Sequence, residues 1–444
     1  MSNVELYQTN PVGHIAPFTV TVPGSKSITN RALLLAALSD CDCTLHNVLF
    51  SSDSRALLAA LGELGILLSV DEGSGTVRVS GCNKVLPKKN AEAYAASAGT
   101  AARFLTALFA FSDGTYTLTS SEQMKKRPMA PLFESLRSQG ISVTELEEEG
   151  HLPVRITGVQ KQLSKAPLFH INIDKSSQFL SALMMTGVML SGGISVIADG
   201  ARTALSYVLM TERMMSSFGI SPVPYETQGS ICSYHIPGTA SYHREDYSIE
   251  PDLSGACYFY AAAALLGTSV TVRDVHPDSL QGDFRFLSVL ERIGCTVTDT
   301  VDGICVTGPA DRHYPGLDLT MSDFSDQTMT MAVLALFADT PTHIRGIGHI
   351  RGQECDRMAA TIAEITRLGG NAREDEAGTG LIIVPQPLHG ATLKTYDDHR
   401  MAMAFALTGL RVEGVAIENP SCCKKTFENY FSLFTECFHQ KQNQ

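Results

Sequence analysis

The sequence lacks any stretch close to the roughly 20 uncharged apolar residues that a bilayer-crossing helix requires, so no membrane partner is expected. Its first residues, MSNVELYQTN, hold neither the basic nor the apolar region of a secretory signal. A cytoplasmic location is the expectation that follows. Basic charge is also in short supply. With 34 Lys+Arg against 46 Asp+Glu, the formal net charge of -12 would repel a nucleic-acid backbone unless cations were gathered into one patch. No nucleic-acid partner is expected. The 11 cysteines contain no CxxC pair, and Cys41, Cys43 and His46 form the one close grouping of soft ligands. Reduced thiols, with no metal and no redox cofactor, are the plain reading.

What the chain has is length and internal repetition. At 444 residues and 44% hydrophobic it exceeds one ordinary core, so two domains or a repeat array are expected. Six helix-like segments align by their first polar residues: GSKSITNRALLLAALS, SAGTAARFLTALFAF, KSSQFLSALMMTG, DLSGACYFYAAAALLG, SDFSDQTMTMAVLALFA and YDDHRMAMAFALTGL. Their anchors, Ser25, Gly99, Ser177, Ser254, Asp326 and Asp398, recur every 72 to 78 residues by subtraction of those positions. An amphipathic second helix follows most of them and ends at a glycine: Gly65, Gly140, Gly219, Gly294 or Gly369. Two alternating runs around a glycine turn come next, as in VDEGSGTVRVSG and VTDTVDGICVTG, and read as hairpins. Each repeat is therefore βαβαββ.

The fold class is α/β (α+β), with six repeats divided into two domains of three. The sixth repeat stops after KTFENYFSLFTECF, while the extended run HIAPFTVTVPG stands unassigned near the start. Residues 1–22 are accordingly predicted to complete the last repeat. Residues 23–245 then form an N-terminal domain, and residues 1–22 plus 246–444 a C-terminal one, hinged by two crossovers near Val22 to Pro23 and Tyr242 to Tyr247. The small-residue first helices should be buried and the second helices should cover the outside.

Buried helices that start together aim free N–H groups and positive dipole ends at one place, which suits anions. The starts of the first helices carry Lys26, Ser27 and Arg31; Gly99, Thr100 and Arg103; Ser176, Ser177 and Gln178; Asp326; and His399 with Arg400. Arg127, Arg357 and Lys425 head second helices. One such residue is commonly a cap or a solvated charge; recurrence at equivalent positions points to a shared anionic ligand. Arg103, followed by an apolar run, reads equally as loop support. Asp326 and Glu354 are carboxylates set among these cations, which marks them as paired structural ions or acid–base groups.

The series PGSKSITNRALLLAAL, AGTAARFL, KKRPM, SSQFLSALMMTG, DFSDQTMTMAVLALFA, QECDRM, YDDHRMAMAFAL and KKTFENYF resembles, in order and over nearly the whole chain, the motifs of the EPSP synthase family. The resemblance implies two inside-out α/β domains of three βαβαββ repeats each, closing over small-molecule substrates. It implies transfer of the enolpyruvyl group of phosphoenolpyruvate to the 5-hydroxyl of shikimate 3-phosphate, by a monomer without cofactor. Carried across by position, shikimate 3-phosphate falls to Lys26, Ser27, Arg31, Ser176, Ser177, Gln178, Asp326 and Gln353. Phosphoenolpyruvate falls to Lys26, Gly99, Arg127, Gln178, Arg357, Arg400 and Lys425. Asp326 becomes the proton acceptor, and Glu354, with Lys26 or Lys425, the proton source. The inhibitor glyphosate occupies the same anion site in this family, and Gly99, lacking Cβ, would let a ligand approach the backbone closely.

Four positions depart from the commonest family pattern: Gln353 in place of lysine, His349 in place of asparagine, Ser97 where asparagine is frequent, and Ala204 where a serine often contacts the shikimate phosphate. Thr203 could supply that hydroxyl. Two rival readings remain. A UDP-N-acetylglucosamine carboxyvinyltransferase would share the fold, but its reactive Cys is absent from TSSEQMKKRPM. A catalytically silent two-domain anion-binding protein would leave the joint presence of Lys26, Asp326, Glu354 and Arg357 without a reason.

Overall fold

Alternating and small-residue segments build the chain, and the computed structural model describes residues 5–160, 166–200 and 205–440 of it. Two compact units emerge: a first-half unit, Gly24–Ile249, and a second-half unit, Met1–Pro23 with Glu250–Gln444. No helix among the described residues is long and apolar enough to cross a membrane.

Three of the sheets repeat one pattern: two parallel strands joined through a helix, then an antiparallel hairpin. In the first-half unit the second sheet runs Asn90–Tyr94, Thr115–Thr119, Val154–Thr157, Ser142–Glu145, and the third runs Leu168–Asn172, Ile194–Asp199, Cys232–Ile236, Val223–Pro224. The second-half unit holds Asp318–Thr320, Thr342–Arg345, Leu381–Val384, Asn371–Glu374 in the same order. Along strands such as Leu168–Asn172 burial alternates, so one face of the sheet meets the helices and the other meets solvent.

The strands at the crossovers correct the sequence expectation. Leu6–Gln8 does complete the last repeat, pairing antiparallel with Ala416–Glu418. Phe18–Val20, inside the HIAPFTVTVPG run, pairs instead in parallel with Ser269–Arg273 of the fourth repeat. The register sets Phe18 and Val20 beside Val270 and Val272, so their buried side chains join the core around the Leu253 helix. Asp246–Ser248 pairs in parallel with Cys43–His46, placing buried Tyr247 beside Leu45. Residues 246–249 thus belong to the first-half unit, four residues past the expected boundary. Each crossing stretch delivers the opening strand of a sheet whose helices come from elsewhere in the chain.

The first helices are interior. Every residue of Gly99–Ala110, Leu253–Leu266, Thr328–Leu336 and His399–Ala406 is buried. Ala and Gly on these helices leave no bulk that would hold neighbours apart. Gly99–Ala110 packs against Gln178–Thr186 in one unit, and Thr328–Leu336 against His399–Ala406 in the other. Second helices such as Arg285–Arg292 and Arg357–Arg367 bury one face only. All five glycines expected to end second helices have positive φ, between 76° and 93°, the left-handed turn a glycine adopts without strain.

Candidate functional site

In the first-half unit the helices Lys26–Leu38, Gly99–Ala110 and Gln178–Thr186 all begin without a side-chain hydrogen bond from the N-cap residue. Apart from the Gln178 N–H, which Ser176 takes, their first-turn N–H groups therefore stay available to an anion. Two of these starts are joined: Gln178 donates through Nε2 to Thr100 Oγ1 at 3.3 Å, while its Oε1 is buried without a hydrogen-bond partner. Ser176 Oγ accepts from the Gln178 backbone N–H at 3.2 Å, and Ser177 is buried beside it. Lys26 pairs with Asp53 at 3.4 Å, a carboxylate on the following helix, Ser52–Glu63, and keeps part of its side chain exposed.

Gly99 is explained by what surrounds it. A Cβ built there would lie 2.3 Å from Arg103 Nη1 and 2.5 Å from Arg127 Nη1. The space that a side chain would fill is thus occupied by two guanidinium groups, rather than standing open to a ligand. Arg103 lies with Cζ 5.5 Å from the centre of the Phe179 ring and donates to Pro128 O, so it carries the support role weighed from sequence. Arg127 differs. Its Nε is buried and makes no hydrogen bond, and among the described residues it has no ion-pair partner.

Arg31 is placed more deeply than a helix-start cation suggests. Only 1% exposed, it donates to Thr211 Oγ1 at 2.8 Å, to Ser27 O at 3.0 Å, and to Ser181 Oγ and Tyr207 O at 3.3 Å each. Phe104 and Tyr207 flank its guanidinium at 5.5 and 5.9 Å. Burial lowers its pKa to about 10, with Tyr207 opposing. In this structure Arg31 braces the Lys26 helix against the Gln178–Thr186 and Leu205–Ser217 helices.

The second-half unit gathers Asp326, Glu354, Arg357, Arg400 and Lys425 into one ion-pair network. Arg357, 1% exposed, donates to Asp326 Oδ1 at 3.0 Å, Glu354 Oε2 at 2.7 Å and Asp398 Oδ2 at 2.8 Å. Arg400 donates to Asp326 Oδ2 at 2.8 Å, and Lys425 Nζ lies 3.3 Å from Glu354 Oε1. Burial alone would loosen the Arg357 proton, but Asp398, Glu354 and Asp326 outweigh it and raise the pKa above the usual arginine value. The chain folds this way locally because Asp398 and Asp356 cap the His399–Ala406 and Arg357–Arg367 helices, fixing the residues that follow them.

His349 Nε2 is 2.8 Å from Ser325 Oγ, and burial pushes its pKa down, so the ring is a neutral scaffold. Gln353 follows the short turn Gly348–Gly352 and is half-buried. Ser97 shares a hydrogen bond of 2.7 Å with Ser121. Ala204 and Thr203 lie outside the described residues.

Sequence reasoning missed Asp283, and it used Asp398 and Ser254 only as alignment anchors. Asp283 is buried, bonded to Ser254 Oγ, which also accepts from Arg400 at 3.4 Å. Burial pushes its carboxyl up to about 7, helped by the Asp326 charge and opposed by Arg400. A signal existed: in QGDF, Asp283 precedes capping Gly294 by 11 residues, close to the 12 that separate Arg357 from Gly369, by subtraction.

With this geometry established, three comparisons place the chain among known proteins. The profile of the family described as EPSP synthase (3-phosphoshikimate 1-carboxyvinyltransferase) matches residues 17–434. The 3-phosphoshikimate 1-carboxyvinyltransferase of Trichormus variabilis is 40% identical over 422 residues, covering 95% of this chain and 96% of that protein. The protein of that name from Neisseria gonorrhoeae is 35% identical, covering 96% and 97%, and the chloroplastic one of Arabidopsis thaliana 36%, covering 93% and 81%. A solved EPSP synthase from Acinetobacter baumannii superposes with a TM-score of 0.79 over 98% of each chain at 22% identity, a likeness of fold.

Proposed function

The chain belongs to the EPSP synthase family, and from that premise we propose that it joins phosphoenolpyruvate to shikimate 3-phosphate as a cytoplasmic monomer that needs no metal or redox cofactor. The observation that carries this reading is the position of Asp326. Its two carboxylate oxygens are bonded one to Arg357 and one to Arg400, cations suited to a ligand bearing both carboxylate and phosphate.

In this reading phosphoenolpyruvate takes up Arg357, Arg400, Arg127 and Lys425, with Gly99, Gln178 and Lys26 around it. Arg357 and Arg400, in turning to the ligand, each release an oxygen of Asp326. The freed carboxylate accepts the proton of the 5-hydroxyl as that oxygen bonds to C2 of phosphoenolpyruvate. Lys425, whose Nζ lies 3.3 Å from Glu354, supplies a proton that passes through Glu354 to the C3 methylene, giving a tetrahedral ketal. Glu354 then takes back a methyl proton, Asp326 gives its proton to the departing phosphate, and the vinyl ether is restored. Shikimate 3-phosphate is assigned to Lys26, Ser27, Ser176, Ser177, Gln178 and Gln353. Arg31 joins that set through the one N–H group, on Nη1, that its four bonds inside the protein leave over.

Inorganic phosphate released from phosphoenolpyruvate tests the reading. Release should require shikimate 3-phosphate. Release with UDP-N-acetylglucosamine in its place would transfer the chain to the rival activity, and binding of both ligands without release would make it a silent homologue.

A further inference from the structure

The sequence singles out Cys41, Cys43 and His46 as a soft-ligand grouping, and the fold rearranges it. Cys43 is buried, and His46 turns to Asp246 at 2.7 Å. Cys41, a free thiol of intermediate exposure, instead meets two side chains that no motif linked to it. One ligand atom from each of Asp40, Cys41 and His243 lies within 4.8 Å of the others, and His243 Nδ1 is 2.7 Å from Asp40 Oδ1.

We infer that Asp40, Cys41 and His243 form a surface site for a borderline-soft divalent cation of the zinc class, with the fourth position left to water. The donor set, one carboxylate, one thiolate and one imidazole, is that of a borderline-soft ion and would be an odd choice for magnesium or calcium. Bonds of about 2.0–2.3 Å to one ion bring tetrahedral donors to about 3.3–3.8 Å apart. The Asp40–His243 pair, now 2.7 Å apart, must open slightly to admit the ion, and both side chains are exposed and can move without disturbing a core.

The backbone beneath is already fixed. Asp40 N–H donates to Tyr242 O at 3.0 Å, Thr44 N–H to Glu245 O at 2.8 Å, and His243 N–H to Phe218 O at 2.8 Å. Little ordering is therefore left for the ion to impose. Lys84, the cation whose charge reaches Asp40, is engaged with Gly238 O at 3.1 Å and Ala240 O at 3.2 Å. A bound ion would tie the loop after the Lys26–Leu38 helix to the segment that precedes Asp246–Ser248, making it a staple of the first-half unit apart from the catalytic residues proposed above.

The full-length protein, stripped with EDTA, desalted under a reductant and titrated with Co²⁺, tests this. One equivalent should produce a thiolate-to-cobalt charge-transfer band that Zn²⁺ displaces, and Zn²⁺ should raise the Tm. Cys41→Ser should abolish the band, while Asp40→Asn and His243→Ala, both at exposed positions, should weaken binding by at least about tenfold. Absence of the band at one equivalent, its survival in Cys41→Ser, or affinity unmoved in both other variants would overturn the site.

Discussion

The two units treat their cations differently. In the first-half unit Arg127 has a buried Nε without a hydrogen bond, and the three interior helices start without N-cap side chains. In the second-half unit Arg357 is saturated by Asp326, Glu354 and Asp398, and Arg400 shares Asp326. A cation left unpaired is a receptor that waits for its anion. A cation already paired is a structural element, and an arriving ligand can exchange with one of its partners. Under the function proposed above, that exchange would couple substrate arrival to the release of Asp326 as the base.

Three substitutions sharpen the contrast, the first having the largest expected effect. Asp398→Ala removes a carboxylate with no exposure that accepts from Arg357 Nε, from Arg400 N–H at 2.9 Å and from the Cys355 thiol at 3.5 Å. Breaking a buried pair typically costs about 3–5 kcal/mol, so urea unfolding of the ligand-free protein should show a loss of that size. A loss below about 1 kcal/mol, the worth of a surface ion pair, would mean that the network contributes little.

Gly99→Ala acts on the other unit. The new methyl group must push aside the Arg103 and Arg127 guanidinium groups. Overpacking costs about 1–3 kcal/mol, or roughly 5- to 150-fold in affinity, and it should appear as a raised KM for phosphoenolpyruvate with the fold retained. An unchanged KM would show that Arg127 does not hold that ligand.

Asp283→Asn should have the smallest effect at neutral pH, and shows itself as a pH dependence. Burial pushes the folded-state carboxyl up to about 7, from an ordinary value of 3.8. The folded protein therefore holds the proton more tightly, and this contribution, complete below the unfolded pKa, is lost as pH rises to about 7. The variant should lack that decline, differing from wild type in slope by at most about 1.4 kcal/mol per pH unit. Identical slopes between pH 5 and 7 would remove Asp283 from the account.

Much of this was legible in the sequence because it repeats. Capping glycines and small-residue helices each recur, and a pattern seen several times outweighs the ambiguity of any one segment. The crossover strands were not legible: Phe18–Val20 alternates like any other three-residue strand, and nothing in its residues says which sheet it joins. Arg31 resembled the other helix-start cations, since what buries it comes from Phe104, Ser181 and Thr211, far along the chain. Asp283 stands at a second-helix start as an acid, so the recurrence of cations at Arg127, Arg357 and Lys425 passes it over. His243 stands some 200 residues from Asp40, beyond any local motif.

The contrast between the units is tested most directly by measuring the unfolding free energy of Arg127→Ala and Arg357→Ala side by side without ligand. Arg127→Ala should fall within about 0.5 kcal/mol of wild type, as substitutions away from structural networks do. Arg357→Ala, which strands the carboxylates of Asp326, Glu354 and Asp398, should lose about 3–5 kcal/mol. Equal losses in the two variants would contradict the account.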